Sequence, residues 1–242
     1  MLFDNFLKDR RRDQLSADDL AMLESLAGPI RTVAPRTTVV HQGETVSNST
    51  YLLSGFMCRY MDDRKGERQF IAIHLPGDFV DLHGYPLKRL DHDLATITEC
   101  TLVAMPHDRI DDIMLRRPAM ARLLWFSTLI DAAMHREWIF RLGRLDALSR
   151  LGHFLCETER RLRAIGLSDG RSFPLPMTQS DLAEACGLTP VHINRMLREL
   201  RERGLATVQG GVVTMPDRAE LARLSQFDPG YLFFDSDDPR NP

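Results

Sequence analysis

The sequence predicts an α+β fold: an N-terminal antiparallel β jelly roll, one long helix suited to dimerisation, and a C-terminal winged helix-turn-helix. Three observations predict it. Short β-branched and aromatic runs separated by turn glycines fill Ile30 to Met105, apolar residues recur at three-four spacing from Pro118 to about Leu145, and Met177 to Leu205 has the layout of two helices joined at a glycine. The domains implied are residues 1–117, 118–145 and 146–242.

The 242 residues are enough for one large or two modest cores, and 43% hydrophobic with 27% charged residues is an ordinary globular composition. The net charge of −3 excludes a uniformly basic coat but leaves room for a local cationic face. The start, MLFDNFLKDRRRDQL, lacks the apolar core of a signal peptide, and no run approaches a membrane span. Cys58, Cys100, Cys156 and Cys186 form no C-x-x-C pair, so neither a disulfide framework nor a cysteine zinc site is expected. Together these features point to a cytoplasmic protein with no membrane partner.

Leu15, Leu20, Leu23 and Leu26 make the apolar stripe of a short first helix. The runs RTVAPRTTVVHQGE, STYLLSGFMCRYM, RQFIAIHLPGDFV and LATITECTLVAM follow, punctuated by Gly43, Gly55, Gly66 and Gly77. Short strands at this spacing suggest a jelly roll, with Asp62 to Gly66 as a polar hairpin turn. Met105-Pro106 closes the sheet region, and a short helix is expected after it. Pro118 then opens a segment worth about 40 Å of helix. Leu123, Phe126, Ile130, Ala133, Glu137 and Phe140 are its candidate dimerisation positions, with Glu137 interrupting the apolar line. A helix packed only on its own β domain is the alternative. Leu142 to Asp146 holds a glycine and a capping acid, where the interdomain hinge is expected. Ala147 to Ile165 is a further helix, with Leu148, Leu151, Phe154, Leu155 and Leu162 apolar, and a polar loop with Pro174 and Pro176 leads onward. In the tail from Phe227, the aromatics are expected to pack and the acidic end to be loose.

In the helix-turn-helix, Thr178 and Asp181 make a capping-box-like pair, and Gly187 ends the first helix. Thr189 caps the second, and Pro190 suits its first position because that residue needs no helical N–H partner. Ile193, Met196, Leu197 and Leu200 face inward, leaving Val191, His192, Asn194, Arg195 and Arg198 outside. An arginine suits guanine O6/N7, and a small apolar residue suits a thymine methyl. ATVQGGVVTM, at Ala206 to Met215, predicts a hairpin wing. The expected partner is double-stranded DNA, with Val191, His192, Asn194 and Arg195 at base edges and Thr178, Gln179, Thr189 and Arg198 on the backbone. An ordinary surface helical hairpin is the plain alternative.

The order of β sandwich, long helix, hinge and winged helix resembles the Crp/Fnr family of bacterial transcription regulators over nearly the whole chain. The resemblance is carried by LLSG at Leu52 to Gly55, LPGDFV at Leu75 to Val80, the Leu145-Asp146 hinge and, most specifically, LTPVHINRMLREL at Leu188 to Leu200. It implies a cyclic-nucleotide-binding-like β domain, a homodimer on a two-fold operator and contact with RNA polymerase. The chain is most similar to the Fnr/FixK-like branch, with two departures. The cyclic-nucleotide branch uses a Gly-Glu pair and an Arg followed by Ser or Thr, where Asp81-Leu82 and Asp93-Leu94-Ala95 stand here. The oxygen-sensing branch uses an N-terminal cysteine cluster, and residues 1–57 contain no cysteine. No cofactor is therefore expected, and the effector is left unidentified. Arg195 matches the family's base-reading arginine, while Val191 replaces its glutamate, so a different operator is implied.

His74, His83, His92 and His107, with Asp78, Asp81, Asp91 and Asp93, match no metal motif, and no metal is expected. Cys186 is a packing residue or, more sharply, a candidate redox residue. No G-x-S-x-G, H-E-x-x-H, P-loop or dinucleotide motif occurs, so no catalytic residue is expected. The expected function is a sequence-specific DNA-binding regulator. The alternative is a small-molecule-sensing module whose winged helix docks a protein.

Overall fold

The computed structural model describes residues 1–237. They form two compact units: residues 1–60 with 73–133, and residues 61–72 with 134–237.

The first unit starts with α1 (Ala17–Leu26), capped by Ser16, whose hydroxyl accepts from the Asp19 backbone while Asp19 answers back to the Ser16 N–H. Strands β1 (Ile30–Val33), β2 (Thr38–Val40), β3 (Asn48–Ser54), β4 (Met57–Asp62) and β5 (Arg68–His74) follow, with the ends of β4 and β5 belonging to the second unit. The short helix α2 (Gly84–Leu87) precedes β6 (Asp93–Thr96) and β7 (Cys100–Pro106). These strands make two sheets of order β1-β7-β3 and β2-β6-β4-β5, and the β1–β7, β3–β7, β2–β6 and β4–β6 pairs are antiparallel. Sequence-distant strands pair in both sheets, as in the expected jelly roll. Leu52, Met57, Val80, Leu90, Leu94, Cys100 and Leu102 form their shared core. Gly55 makes the turn at φ 93°, and a Cβ there would collide with the Glu99 carbonyl oxygen, so LLSG needs its glycine.

The N-terminal segment has a role that sequence reasoning missed. Phe3 and Phe6 are buried, and their rings lie 4.6 Å from Tyr51 and 5.4 Å from Phe79, respectively. Helix α3 (His107–Arg116) leads to α4 (Pro118–Arg144), 27 residues long. The division between the two units falls inside α4, after Ala133.

In the second unit, Asp146 caps α5 (Ala147–Ala164) by accepting from the Ser149 N–H at 2.9 Å. Leu148, Leu151, Phe154, Leu155 and Leu162 are buried as expected, but so are Glu157, Glu159, Arg160 and Arg161. The chain continues through β8 (Ser172–Pro174), α6 (Gln179–Cys186), α7 (Pro190–Glu202), β9 (Thr207–Gln209), β10 (Val212–Thr214) and α8 (Arg218–Leu224). The proline-containing loop before α6 is thus partly a strand: β8 pairs antiparallel with β10 at the edge of a β8-β10-β9 sheet. An edge is where a strand tolerates the missing N–H of Pro174.

The tail departs from expectation at its acidic end. Leu232 and Phe234 are buried, as the aromatic character suggested. Asp237, however, accepts from Arg160 Nε at 2.5 Å, and Arg160 stacks 3.8 Å from the Phe234 ring centroid. A buried guanidinium on α5 needs a counter-charge, and the tail supplies it. The rest of the acidic end, from Asp238, lies outside the described residues.

Candidate nucleic-acid interface

Local signals set the two helices at this site. The Thr178 hydroxyl accepts from the Asp181 N–H at 3.2 Å, and the Asp181 carboxylate accepts from the Thr178 N–H at 2.6 Å. Gly187 caps α6 at φ 61°, a conformation unfavourable for other residues, and a Cβ there would sit 3.1 Å from Leu142. Thr189 caps α7 by accepting from the His192 N–H at 3.3 Å, with Pro190 in the first helical turn. Ile193, Met196 and Leu200 are buried against the unit's core, together with Leu182, Ala183, Ala185 and Cys186 of α6. Leu197 is half-buried.

This packing turns Val191, His192, Asn194, Arg195 and Arg198 to solvent, joined by exposed Thr178, Gln179 and Thr189. Val191 is 80% exposed, which an apolar side chain on a packed helix does not need for folding. Asn194 Nδ2 donates to Gln179 Oε1 at 3.2 Å, coupling the two helices at their outer face. One shallow concavity is lined by Gln179, Val191, Asn194, Arg195 and Arg198, and a second runs from Arg198 and Arg201 to Thr207, Val208 and Gln209 of the wing. The wing turn, Gly210-Gly211, has both φ values positive, the geometry of a type I′ hairpin. Glu199 is paired with Arg203, whereas Arg195, Arg198 and Arg201 have no acidic partner among the described residues. The face therefore has a local cationic surplus in a chain of net charge −3.

Two family models match the chain: a Crp-like helix-turn-helix domain over residues 149–224 and a cyclic nucleotide-binding domain over residues 30–117. The chain belongs to the Crp/Fnr family. Among its Crp/Fnr relatives, the nitrogen fixation regulation protein FixK of Bradyrhizobium diazoefficiens is 28% identical over 214 residues, covering 87% of each chain. The anaerobic regulatory protein of Aggregatibacter actinomycetemcomitans is 27% identical over 213 residues, covering 87% of this chain and 82% of its own. The solved structure of FixK2 from Bradyrhizobium japonicum shares the fold, with a TM-score of 0.72 at 22% identity over 82% of this chain and 96% of that one. As a Crp/Fnr member, the protein is a dimer-forming, DNA-binding transcription regulator and not an enzyme. Among the described residues, no helix is long and apolar enough to cross a membrane.

Support for the helix pair comes from residues that sequence reasoning missed. Arg141, near the end of α4, is fully buried; its Nη2 donates to the Ala185 carbonyl of α6 at 3.0 Å, and its guanidinium lies 4.1 Å from the Trp138 ring centroid. Trp138 Nε1 donates to Glu157 at 3.0 Å, and the Tyr231 hydroxyl donates to the same carboxylate at 2.6 Å. Burial alone would push Glu157 up. Arg141, Arg161 and His153, with the Tyr231 hydroxyl, outweigh burial and hold it below the ordinary glutamate value. Cys186 is fully buried in the same unit, and burial pushes its thiol up to about 11, which keeps it neutral and poorly reactive in the folded state.

The six dimerisation candidates on α4 divide. Leu123, Ile130 and Ala133 are buried within their own chain, and Phe126 is covered by the Arg11 guanidinium 4.3 Å from its ring centroid. Glu137 is half-buried and 3.1 Å from His153 Nε2. Only Phe140 is exposed. The helix carries two apolar stripes, and the one chosen from spacing is largely occupied inside the chain. A second stripe of Trp125, Leu129 and Ile139, exposed by 64%, 49% and 72%, lies on another face.

The β unit does not fit a cyclic nucleotide. Asp81 is buried, accepts from the Thr50 N–H, leaves Oδ2 without a partner among the described residues and is pushed by burial up to about 6. Asp93, where a small hydroxyl residue is needed, is 3.2 Å from His41 Nδ1. The buried cation Arg59 is engaged by the Val80 carbonyl at 2.7 Å and by Asp131 at 2.6 Å. A cyclic phosphate would meet carboxylates instead of a matched arginine. All four cysteines are free and buried, which does not fit an N-terminal iron–sulfur cluster. Two of the histidines that match no motif in sequence are gathered in space, since His83, Asp91 and His92 come together in this unit.

Proposed function

We propose that the protein acts as a homodimer on a two-fold symmetric operator, with α7 of each chain in successive major grooves about 34 Å apart. The carrying observation is the outer face of α7: exposed Val191, Asn194, Arg195 and Arg198 over a buried floor of Ile193, Met196 and Leu200. Arg195 takes a guanine, Val191 meets a thymine methyl, and His192 and Asn194 complete the base-edge set. Thr178, Gln179, Thr189 and Arg198 hold the sugar-phosphate backbone. RNA polymerase is the protein partner, and the bacterial cytoplasm the place of action, as in the family. The β unit responds to an effector other than a cyclic nucleotide.

The test is operator selection from random-sequence DNA, followed by affinity against salt. Contact with about 6–10 phosphates predicts a log–log slope of about −5 to −9. A flat salt response would mean that the winged helix docks a protein instead. The dimer is assigned to the Trp125, Leu129 and Ile139 stripe. Leu129→Glu combined with Ile139→Glu is expected to convert the dimer to monomer in sedimentation and weaken operator binding at least about tenfold, because charge is depleted from interface cores. An unchanged dimer would move the interface elsewhere.

A further inference from the structure

His83 is the residue before α2, and Asp91 and His92 stand just before β6, so the chain leaves and returns to one place. Each of the three side chains offers one ligand atom, and these atoms all lie within 4.8 Å of one another. The imidazole centroids of His83 and His92 are 5.2 Å apart. His92 is 4% exposed, and its buried Nε2 has no hydrogen-bond partner among the described residues. An imidazole with an unsatisfied buried nitrogen is not locked by hydrogen bonds on both sides, so its ring can adjust to a ligand. His92 Nδ1 is 2.9 Å from Asp91 Oδ1, so these two donor atoms already stand close enough for one ion to replace the hydrogen bond between them. Asp91 has a side chain 87% exposed, which gives an ion a path from solvent.

We propose that His83, His92 and Asp91 form a binding site for a divalent transition-metal ion, Zn2+ being the best match to two imidazoles and a carboxylate. This donor set suits a borderline-soft ion far better than Mg2+ or Ca2+, which take oxygen ligands. A tetrahedral Zn2+ site needs donor atoms about 3.5 Å apart, so separations of up to 4.8 Å call for side-chain adjustments of roughly 1 Å on binding. Three protein ligands leave a fourth position open, the pattern of a site that also takes water or a small ligand. Arg59 is the cation that bears on both histidines, and its charge is offset by Asp131 at 2.6 Å. Asp131 lies on α4, so the site has an ion pair between it and the helix that carries the proposed dimer stripe. The metal site stands independently of how the winged helix is used.

The experiment uses the full chain stripped with a chelator, reloaded with ZnCl2, passed through gel filtration and assayed for bound zinc. Wild type is expected to retain one Zn2+ per chain. His83→Ala and His92→Ala should lose it, and Asp91→Asn should weaken it about 10- to 100-fold. His41→Ala, at an exposed histidine of the same unit, should leave it unchanged. Circular dichroism checks that each variant is folded. Because the buried His92 is the variant most prone to misfolding, Co2+ substitution of wild type is the second readout, with visible d–d bands expected and thiolate charge-transfer absent. Overturning results are zinc retained by the folded His83→Ala protein, a wild type that keeps no zinc, or a Co2+ spectrum without d–d bands.

Discussion

Glu157→Ala is expected to remove about 3–5 kcal/mol of folding stability, the range for breaking a buried charge network from one side. The carboxylate is 1% exposed and accepts from Trp138 Nε1 and the Tyr231 hydroxyl. Its removal strips the acceptor from both donors and leaves Arg141 buried without its counter-charge. Because Arg141 also holds the last turn of α6 through the Ala185 carbonyl, the DNA-facing helix pair should loosen with it. Thermal or urea unfolding of wild type and variant measures the loss. The pH dependence has a fixed sign. The folded carboxyl lies below its ordinary value of 4.5, so its contribution is complete above that pH and fades as pH falls through the folded value. Glu157→Gln should therefore lose its disadvantage relative to wild type in acid. A constant gap from pH 7 down to pH about 3 would show that the charge of Glu157 is not what stabilises the unit.

Arg195→Ala should reduce discrimination between operator and unrelated DNA while leaving non-specific binding nearly intact. A good bidentate pairing with a base is worth about 1–3 kcal/mol. The dimer makes it twice, so the expected penalty is about 2–6 kcal/mol, or about 30-fold to about 10^4-fold in affinity. Arg198→Ala is the contrasting control: without its phosphate anchor, binding weakens for all sequences alike and the salt slope becomes shallower by about one. Competition assays with operator and scrambled duplexes separate the two. Specificity that survived Arg195→Ala would mean that α7 docks in another register.

The helix pair was legible in the sequence because its instructions are local. Thr178 with Asp181, Gly187, and Thr189 with Pro190 each act within one helical turn, and the three-four apolar period identifies the buried side of α7. The jelly roll was legible as a class from alternating β-prone runs and turn glycines. Strand β8 was not, because a three-residue segment ending in proline becomes a strand only through pairing with β10, forty residues on. The free face of α4 was not legible for a related reason. Spacing identifies apolar faces but not which one the chain itself covers, and Leu123, Ile130 and Ala133 face inward while Trp125, Leu129 and Ile139 do not.

The charges of α5 and the gathered histidines lay furthest from sequence reasoning. Glu157, Arg160 and Arg161 have the composition of a solvated helix face, and only partners from α4 and the tail make their burial tolerable. His83, Asp91 and His92 have no motif spacing, because a loop that leaves and returns brings them together. By itself, then, the sequence determined the fold class and the helix-turn-helix with its outward residues, since propensity, capping and periodicity act over a few residues, while the Crp/Fnr family entered through the resemblance of its motifs. Tertiary structure alone decided which helix face remains for a partner, which charges are buried, and which histidines meet, because those depend on chain segments far apart in sequence sharing one desolvated space.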